Sequence, residues 1–295
     1  LKIGLGTAQF GLNYGVSNRE GMTTQAEVSD ILKYAEEKGI TILDTAPAYG
    51  TSEDVLGLTI PSGSSFKIVT KTPVFMKDKI EIEDSNYLVE SFHASRKRMK
   101  RPNLYGLLVH HSVDLQKKGG HYLWAAMQSL KSEGFVQKIG VSVYSPEEVK
   151  ELLPQYPFDL VQLPFNVFDQ RMAQSGTLRH LKSLGIEIHS RSIFLQGLLL
   201  MSLKELPDYF SSIRPLIEQY QNELEAKEIS PVSATINFVY RQPDIDAIIV
   251  GVNNKKHLQE IVESLYQEDV LGGIDFDGYA ILDEAIINPS KWNLI

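Results

Sequence analysis

The 295-residue chain contains no cysteine. That excludes disulfides, thiolate metal sites and a cysteine nucleophile, and it fits a reducing, cytoplasmic setting. No apolar run approaches the roughly 20 residues needed to span a bilayer, and no charged-then-apolar signal segment opens the chain, so a soluble intracellular protein is expected. Positive charge is scarce: 29 Lys and Arg against 37 Asp and Glu leave a formal charge of −8. A surface built for nucleic acid or anionic lipid would need the opposite sign. No Gly/Ser- or Pro-rich linker and no low-complexity stretch interrupts the sequence, so residues 1–295 read as one domain. With 43% hydrophobic and 22% charged residues, the composition is that of an ordinary globular protein with a large core.

Short β-rich runs alternate with helical patterns along the whole length, as in a parallel sheet wrapped by crossover helices. Eight runs qualify as strands: KIGLG (2–6), TILDT (41–45), FKIVTK (66–71), YGLLVHH (105–111), KIGVSV (138–143), LVQLPF (160–165), IEIHSR (186–191) and AIIV (247–250). Most are nearly continuous in apolar residues, as expected when both faces of a strand are covered. Helix signals lie between them. Thr24 and Glu27 form a candidate capping box ahead of the apolar face Val28, Ile31, Leu32 and Ala35, with Gly39 as terminator. Ser145 and Ser230 each precede a proline at a helix start, and Gly134 closes WAAMQSLKSEG. Eight βα units in this length predict an α/β fold of the (β/α)8 TIM-barrel type, with the functional site at the carboxyl ends of the strands. An open doubly wound sheet is the competitor. Its dinucleotide fingerprint is missing, since GLGTAQFG has glycines at 4, 6 and 11 but Gln9 where a third would fall.

On the barrel reading, Asp44, Tyr49, Lys71 and His110 gather at one mouth. A phenol, with a pKa near 10, exchanges protons poorly at neutral pH unless a positive charge favours its phenolate. Lys71 could supply that charge, Asp44 could hold the ammonium in place, and an imidazole could orient a substrate oxygen. Together they suit protonation of a carbonyl oxygen as hydride reaches the carbon.

The segments GLGTAQFG, LDTAPAYG, KIVTKT, YGLLVHH, GFVQKIGVS, VQLPFN and FLQGLLL, in this order, resemble those of aldo-keto reductases. The resemblance implies NADPH or NADH bound without a Rossmann domain, and an Asp, Tyr, Lys and His tetrad. By position, Tyr49 is the implied proton donor, Lys71 lowers its pKa, Asp44 pairs with Lys71, and His110 orients the carbonyl. His110 is chosen over His111 because it ends the run Leu107, Leu108 and Val109; His111 would line the pocket. The cofactor positions implied are Gly6, Thr7 and Ala8 near the nicotinamide, and Ser142 and Gln162 at its carboxamide. Ser192, Leu195, Gln196 and Gly197 would lie beside the pyrophosphate, and Gly251, Asn253, His257 and Glu260 at the adenosine end. A C-terminal tail of about 268–295, with Phe276, Tyr279 and Trp292, would complete the substrate pocket.

Three positions depart from the family pattern. Val143 replaces the Asn that usually follows the serine of GVSN. Arg191 replaces a Tyr that commonly stacks on the nicotinamide; guanidinium is planar too, but its charge disfavours a cationic oxidised ring. His257 and Asn253 stand where arginines often meet a 2′-phosphate, with Lys255 and Lys256 close enough in sequence to substitute. The cofactor expected is NADP, with NAD as the alternative, and the substrate a small carbonyl compound, a sugar derivative among the candidates. Two other readings stand beside this one. Lys71 could be the Schiff-base nucleophile of a barrel lyase, or the chain could be a slow-turnover cofactor-binding regulatory module. The basic run Arg96, Lys97, Arg98, Lys100 and Arg101 reads as a solvated helix end and not as a nucleic-acid patch. His110 and His111, on opposite faces of a strand, lack companions for a metal site.

Overall fold

In the computed structural model, which describes residues 1–61, 63–266, 271 and 273–293, eight parallel strands close on themselves in sequence order. They are β1 (Ile3–Gly6), β2 (Ile42–Asp44), β3 (Lys67–Lys71), β4 (Leu104–Val109), β5 (Val136–Ser142), β6 (Leu160–Pro164), β7 (Glu187–Arg191) and β8 (Ala247–Gly251). Pairing of β1 with β8, from Ile3↔Ile248 to Gly6↔Gly251, completes the barrel. This is the expected (β/α)8 fold in one domain. One boundary differs in a way that matters. β4 ends at Val109, so His110 and His111 follow the strand instead of occupying its two faces, and their rings lie 5.4 Å apart.

Nine helices of seven or more residues, among those described, wrap the barrel: α1 (Gln25–Glu37), α2 (Ser52–Thr59), α3 (Ile82–Arg98), α4 (Gly120–Ser132), α5 (Pro146–Leu152), α6 (Thr177–Ser183), α7 (Arg214–Ala226), α8 (Pro231–Tyr240) and α9 (Lys255–Ser264). Thr24, Ser145 and Ser230 accept hydrogen bonds from the backbone N–H three residues on, as N-caps do. The capping box at Thr24 is only half formed. Glu27 turns its carboxylate away and accepts instead from the Lys255 N–H at 2.6 Å, capping α9 from another helix. The basic run is a helix end whose Lys97 and Lys100 are exposed, but not all of it is solvated. Arg98 donates twice to the buried Glu53, at 2.8 and 2.6 Å, and Arg96 lies over the Phe135 ring at 4.2 Å.

Two small apolar clusters separate from the main core fill the barrel interior: Ile42, Ala247 and Ile249, and Val69, Leu108 and Leu160, both packed on Tyr105. Below them Glu187 accepts from Tyr105 at 2.6 Å and pairs with Lys138 and His189. Burial opposes its charge, but these donors prevail and hold it at about 2. Side chains alternate with period two along a strand. Two residues beyond the inward-facing Ile42, Val69, Leu108, Leu160 and Ile249 therefore come Asp44, Lys71, His110, Gln162 and Gly251, all at the carboxyl mouth. The packed interior thus aims the site.

A tight approach of α2 and α3 gives a stability test. A Cβ on Gly57 would lie 2.0 Å from the Arg98 carbonyl oxygen, whereas nothing lies within 4 Å of one on Gly278. Gly57→Ala should cost about 1–3 kcal/mol in urea unfolding, and Gly278→Ala should stay within about 0.5 kcal/mol.

Candidate active site

The strand ends bring Gly6, Asp44, Lys71 and, just past β4, His110 to the mouth from the first half, and Ser142, Gln162, Arg191 and Gly251 from the second. All eight line one cavity of about 700 Å³, within the range of small-molecule and cofactor sites.

At its base Lys71 and Asp44 form an almost fully buried ion pair. Lys71 Nζ donates to Asp44 Oδ1 and Oδ2, both at 2.8 Å, and to the Thr45 carbonyl at 3.0 Å. Asp44 is held from the other side by Gln162 Nε2 at 2.7 Å. Burial pulls the Lys71 pKa down, but the charges and hydrogen bonds of Asp44 and Tyr49 outweigh it and raise the value above that of a free lysine. The ammonium lies 5.0 Å from the centroid of the Tyr49 ring. Lys71 acts on Tyr49 in the expected direction, lowering its pKa, but does not set the net direction. Burial raises it most, Asp44 cancels much of the Lys71 field, and the net direction is upward. The phenol is therefore neutral, with its proton in place.

His110 meets Tyr49 edge to face, ring centroids 6.1 Å apart. Its backbone N–H donates to Thr72 Oγ1 at 3.1 Å, and its Nδ1 has no partner among the described residues. Burial first, then the positive charge of Lys71, holds the imidazole at about 3, so it is uncharged at neutral pH.

The cavity also gathers Ala8, Ser192, Gln196, Gly197, Asn253, His257 and Glu260. Two expected cofactor residues are not there. Thr7 is fully buried, with its hydroxyl donating to the Asp44 carbonyl at 3.0 Å, and Leu195 is buried in the second core cluster. His111, Lys255 and Lys256 are not on the wall either. The tail aromatics pack inward: Phe276 against Phe238, Tyr279 against Tyr220 and Trp292 against Phe210. From that segment Pro289 and Ser290 line the cavity instead; positions 268–270, 272 and 294–295 lie outside the described residues. Gln162 spends its amide N–H on Asp44, which leaves its carbonyl oxygen for a ligand.

Sequence reasoning missed the segment 14–20, of which Tyr14, Gly15, Ser17, Asn18, Arg19 and Glu20 all line the cleft. It is tied by Val16 N to the Gln196 carbonyl at 3.1 Å and by Asn253 Nδ2 to Asn18 Oδ1 at 2.5 Å. A signal was present in the long polar connection between KIGLG and the Thr24 cap. Also missed was Tyr144, on whose ring the Arg191 guanidinium lies at 4.2 Å while donating to the Val143 carbonyl at 3.0 Å. No carboxylate pairs with Arg191 among the described residues.

The lining suits a dinucleotide. Bare backbone stands at the wall at Gly197, where φ is +95° and a Cβ would fall 1.8 Å from Ser17 Oγ, and at Gly251, where a Cβ would displace the end of the Gln9 side chain. Gln9 Oε1 is buried without a partner at the cavity wall. Among the described residues no group of His, Asp and Glu could hold a metal, and no helix is long and apolar enough to cross a membrane.

The neutral imidazole has a consequence for stability. The unfolded chain binds a proton at the ordinary histidine pKa of 6.5, whereas folded His110 binds one only near 3. Its contribution is thus complete above pH 6.5 and is lost as pH falls toward 3. His110→Asn should flatten that part of the stability profile, read as urea midpoints from pH 7 to 4, and NMR should show the His110 ring uncharged at pH 5.

The model of the aldo/keto reductase family matches residues 2–275. Aldo-keto reductase YhdN of Bacillus subtilis is 29% identical over 59% of this chain and 53% of its own length, so that match spans about half of the relative. The NADH-specific methylglyoxal reductase of Escherichia coli is 22% identical over 90% of this chain and 89% of its own. The holo form of aldo-keto reductase AKR11C1 from Bacillus halodurans superposes with a TM-score of 0.71 at 17% identity, covering 90% of this chain and 87% of that one, a likeness of fold. With the family model spanning nearly the whole chain, and relatives named as reductases beside it, this chain belongs to the aldo/keto reductase family of NAD(P)-dependent oxidoreductases.

Proposed function

We propose that the chain reduces an aldehyde or ketone to the alcohol with a nicotinamide cofactor, and that Tyr49 delivers the proton. The observation that carries this reading is a neutral phenol, a neutral imidazole with an unpartnered nitrogen and a fully paired ammonium, all on one cavity wall. The reduced nicotinamide, when bound, supplies the hydride. Gly6, Ala8, Ser142, Gln162, Ser192, Gln196 and Gly197 would hold the cofactor through backbone groups, hydroxyls and amides, which bind its oxygens without a mobile charge.

His110 and Tyr49 converge on the carbonyl oxygen and orient it. As negative charge develops there, Tyr49 gives up its proton and the Lys71 ammonium stabilises the phenolate left behind. Asp44 keeps that ammonium charged and fixed. Arg191, without a carboxylate partner, adds positive charge to the mouth and so favours a neutral reduced ring over a cationic oxidised one. Tyr14, Tyr144, Arg191 and Ser290 make the substrate end polar, which suits a hydroxylated carbonyl compound such as a sugar derivative, with Pro289 and Ser290 closing the pocket. The carbonyl reduction in the name of the Escherichia coli relative agrees with this chemistry. A Schiff-base lyase needs a free amine at Lys71, and that nitrogen is committed to Asp44 and Thr45 with a raised pKa.

Tyr49→Phe should lower carbonyl reduction by about 10²–10⁴-fold while the dissociation constant for the reduced cofactor, followed by fluorescence, changes little. Full activity in this variant would overturn the mechanism.

A further inference from the structure

The end of the cleft remote from the tetrad is built against a phosphate. From Gly251 the lining runs outward past Asn253 to His257 and Glu260 on the first two turns of α9, with Arg19 and Glu20 also on the wall. The family resemblance implies that a dinucleotide with its reacting ring beside Tyr49 and His110 would lay its adenosine ribose along this stretch, so any nucleotide preference at this end rests on the proposed function.

A phosphate at a helix N-terminus is held by free backbone N–H groups. At α9 two of them are taken by the chain itself. Lys255 N donates to the Glu27 carboxylate at 2.6 Å, and His257 N donates to Asn254 Oδ1 at 2.9 Å. Glu27 thus brings its own negative charge to the helix end that a second anion would have to approach. The nearby lysines do not compensate. Lys255 Nζ sits 5.7 Å from the centroid of the Tyr34 ring, and neither Lys255 nor Lys256 lines the cleft. Arg19 is paired with Glu205 at 2.6 Å. Glu20 accepts from Asn254 Nδ2 at 3.1 Å, and Glu260 has no cation paired with it among the described residues.

We infer that this cleft selects NADH over NADPH, with Glu20, Glu27 and Glu260 setting the choice. A ribose 2′-hydroxyl can donate a hydrogen bond to a carboxylate, whereas a 2′-phosphate brings roughly −1.5 to −2 charges toward three of them. This preference runs against the expectation of NADP drawn from Lys255 and Lys256, neither of which lines the cleft.

The test is direct binding to the full chain, with NADH and NADPH titrated against fluorescence and 5′-AMP and 2′,5′-ADP used as competitors to localise the effect to the adenosine end. NADH should bind at least about tenfold tighter than NADPH, and 5′-AMP should compete better than 2′,5′-ADP. Glu260→Lys and Glu20→Lys, both at exposed positions, should each narrow the NADH to NADPH ratio with an unchanged far-UV CD spectrum. Equal or tighter binding of NADPH overturns the inference, and a ratio that neither substitution moves overturns the role given to Glu20 and Glu260. If neither dinucleotide binds, the proposed function itself fails, an outcome distinct from the other two.

Discussion

The buried pair of Lys71 and Asp44 is the interaction on which the site depends. Two charges taken out of water cost several kcal/mol each unless their bonding capacity is filled, and here it is. Lys71 uses three donors on Asp44 and Thr45, while Asp44 accepts from Gln162 across the barrel and, through its backbone carbonyl, from Thr7. The pair therefore joins the ends of β1, β2, β3 and β6. It also shapes the electrostatics of its neighbours, because burial and the Asp44 charge keep the proton on Tyr49 while the ammonium beside it stands ready for the phenolate. An unpaired lysine there would shed its own proton under burial and leave the phenol without support.

The fold was legible because its strands are covered on both faces. Runs such as TILDT and LVQLPF cannot be surface hairpins, and their spacing leaves room for a crossover helix each time. Period-two alternation then carries legibility from fold to site, since a strand whose interior residue is known places the residue two further on at the mouth. That is why Asp44 and Lys71 could be named from their strand-end placement, whereas Gln162 and Arg191 were named from the family resemblance; all four line one cavity.

What was not legible depended on contacts distant in sequence or on loop geometry. Thr7 and Ala8 are neighbours in the chain, but only Ala8 faces the cavity, because Thr7 is drawn inward by Asp44 and Ser52. Glu27 looked like the second half of a local capping box, yet its partner is Lys255, 228 positions away. The tail aromatics were expected at the pocket because the C-terminal tail completes it in this fold, while the structure packs them against Tyr220, Phe210 and Phe238. Lys255 shows the same limit: sequence supplied its charge but not its direction.

Direction of charge is what organises the cleft. Near the tetrad Lys71 is matched by Asp44, His110 is neutral, and Arg191 has no counter-ion among the described residues, so the mouth carries net positive character. Toward α9 the balance inverts, with Glu20 and Glu260 on the wall and Glu27 at the helix end, while Arg19 is already paired. A ligand whose oxygen gains negative charge during reaction is favoured at the first end, and one that offers hydroxyl donors is favoured at the second. The two demands fall on different residues, Lys71, Asp44 and Arg191 for the first and Glu20, Glu27 and Glu260 for the second. On the inferred preference, substitutions at α9 would bear on which nucleotide binds, while proton transfer rests on Tyr49 and the ion pair beside it.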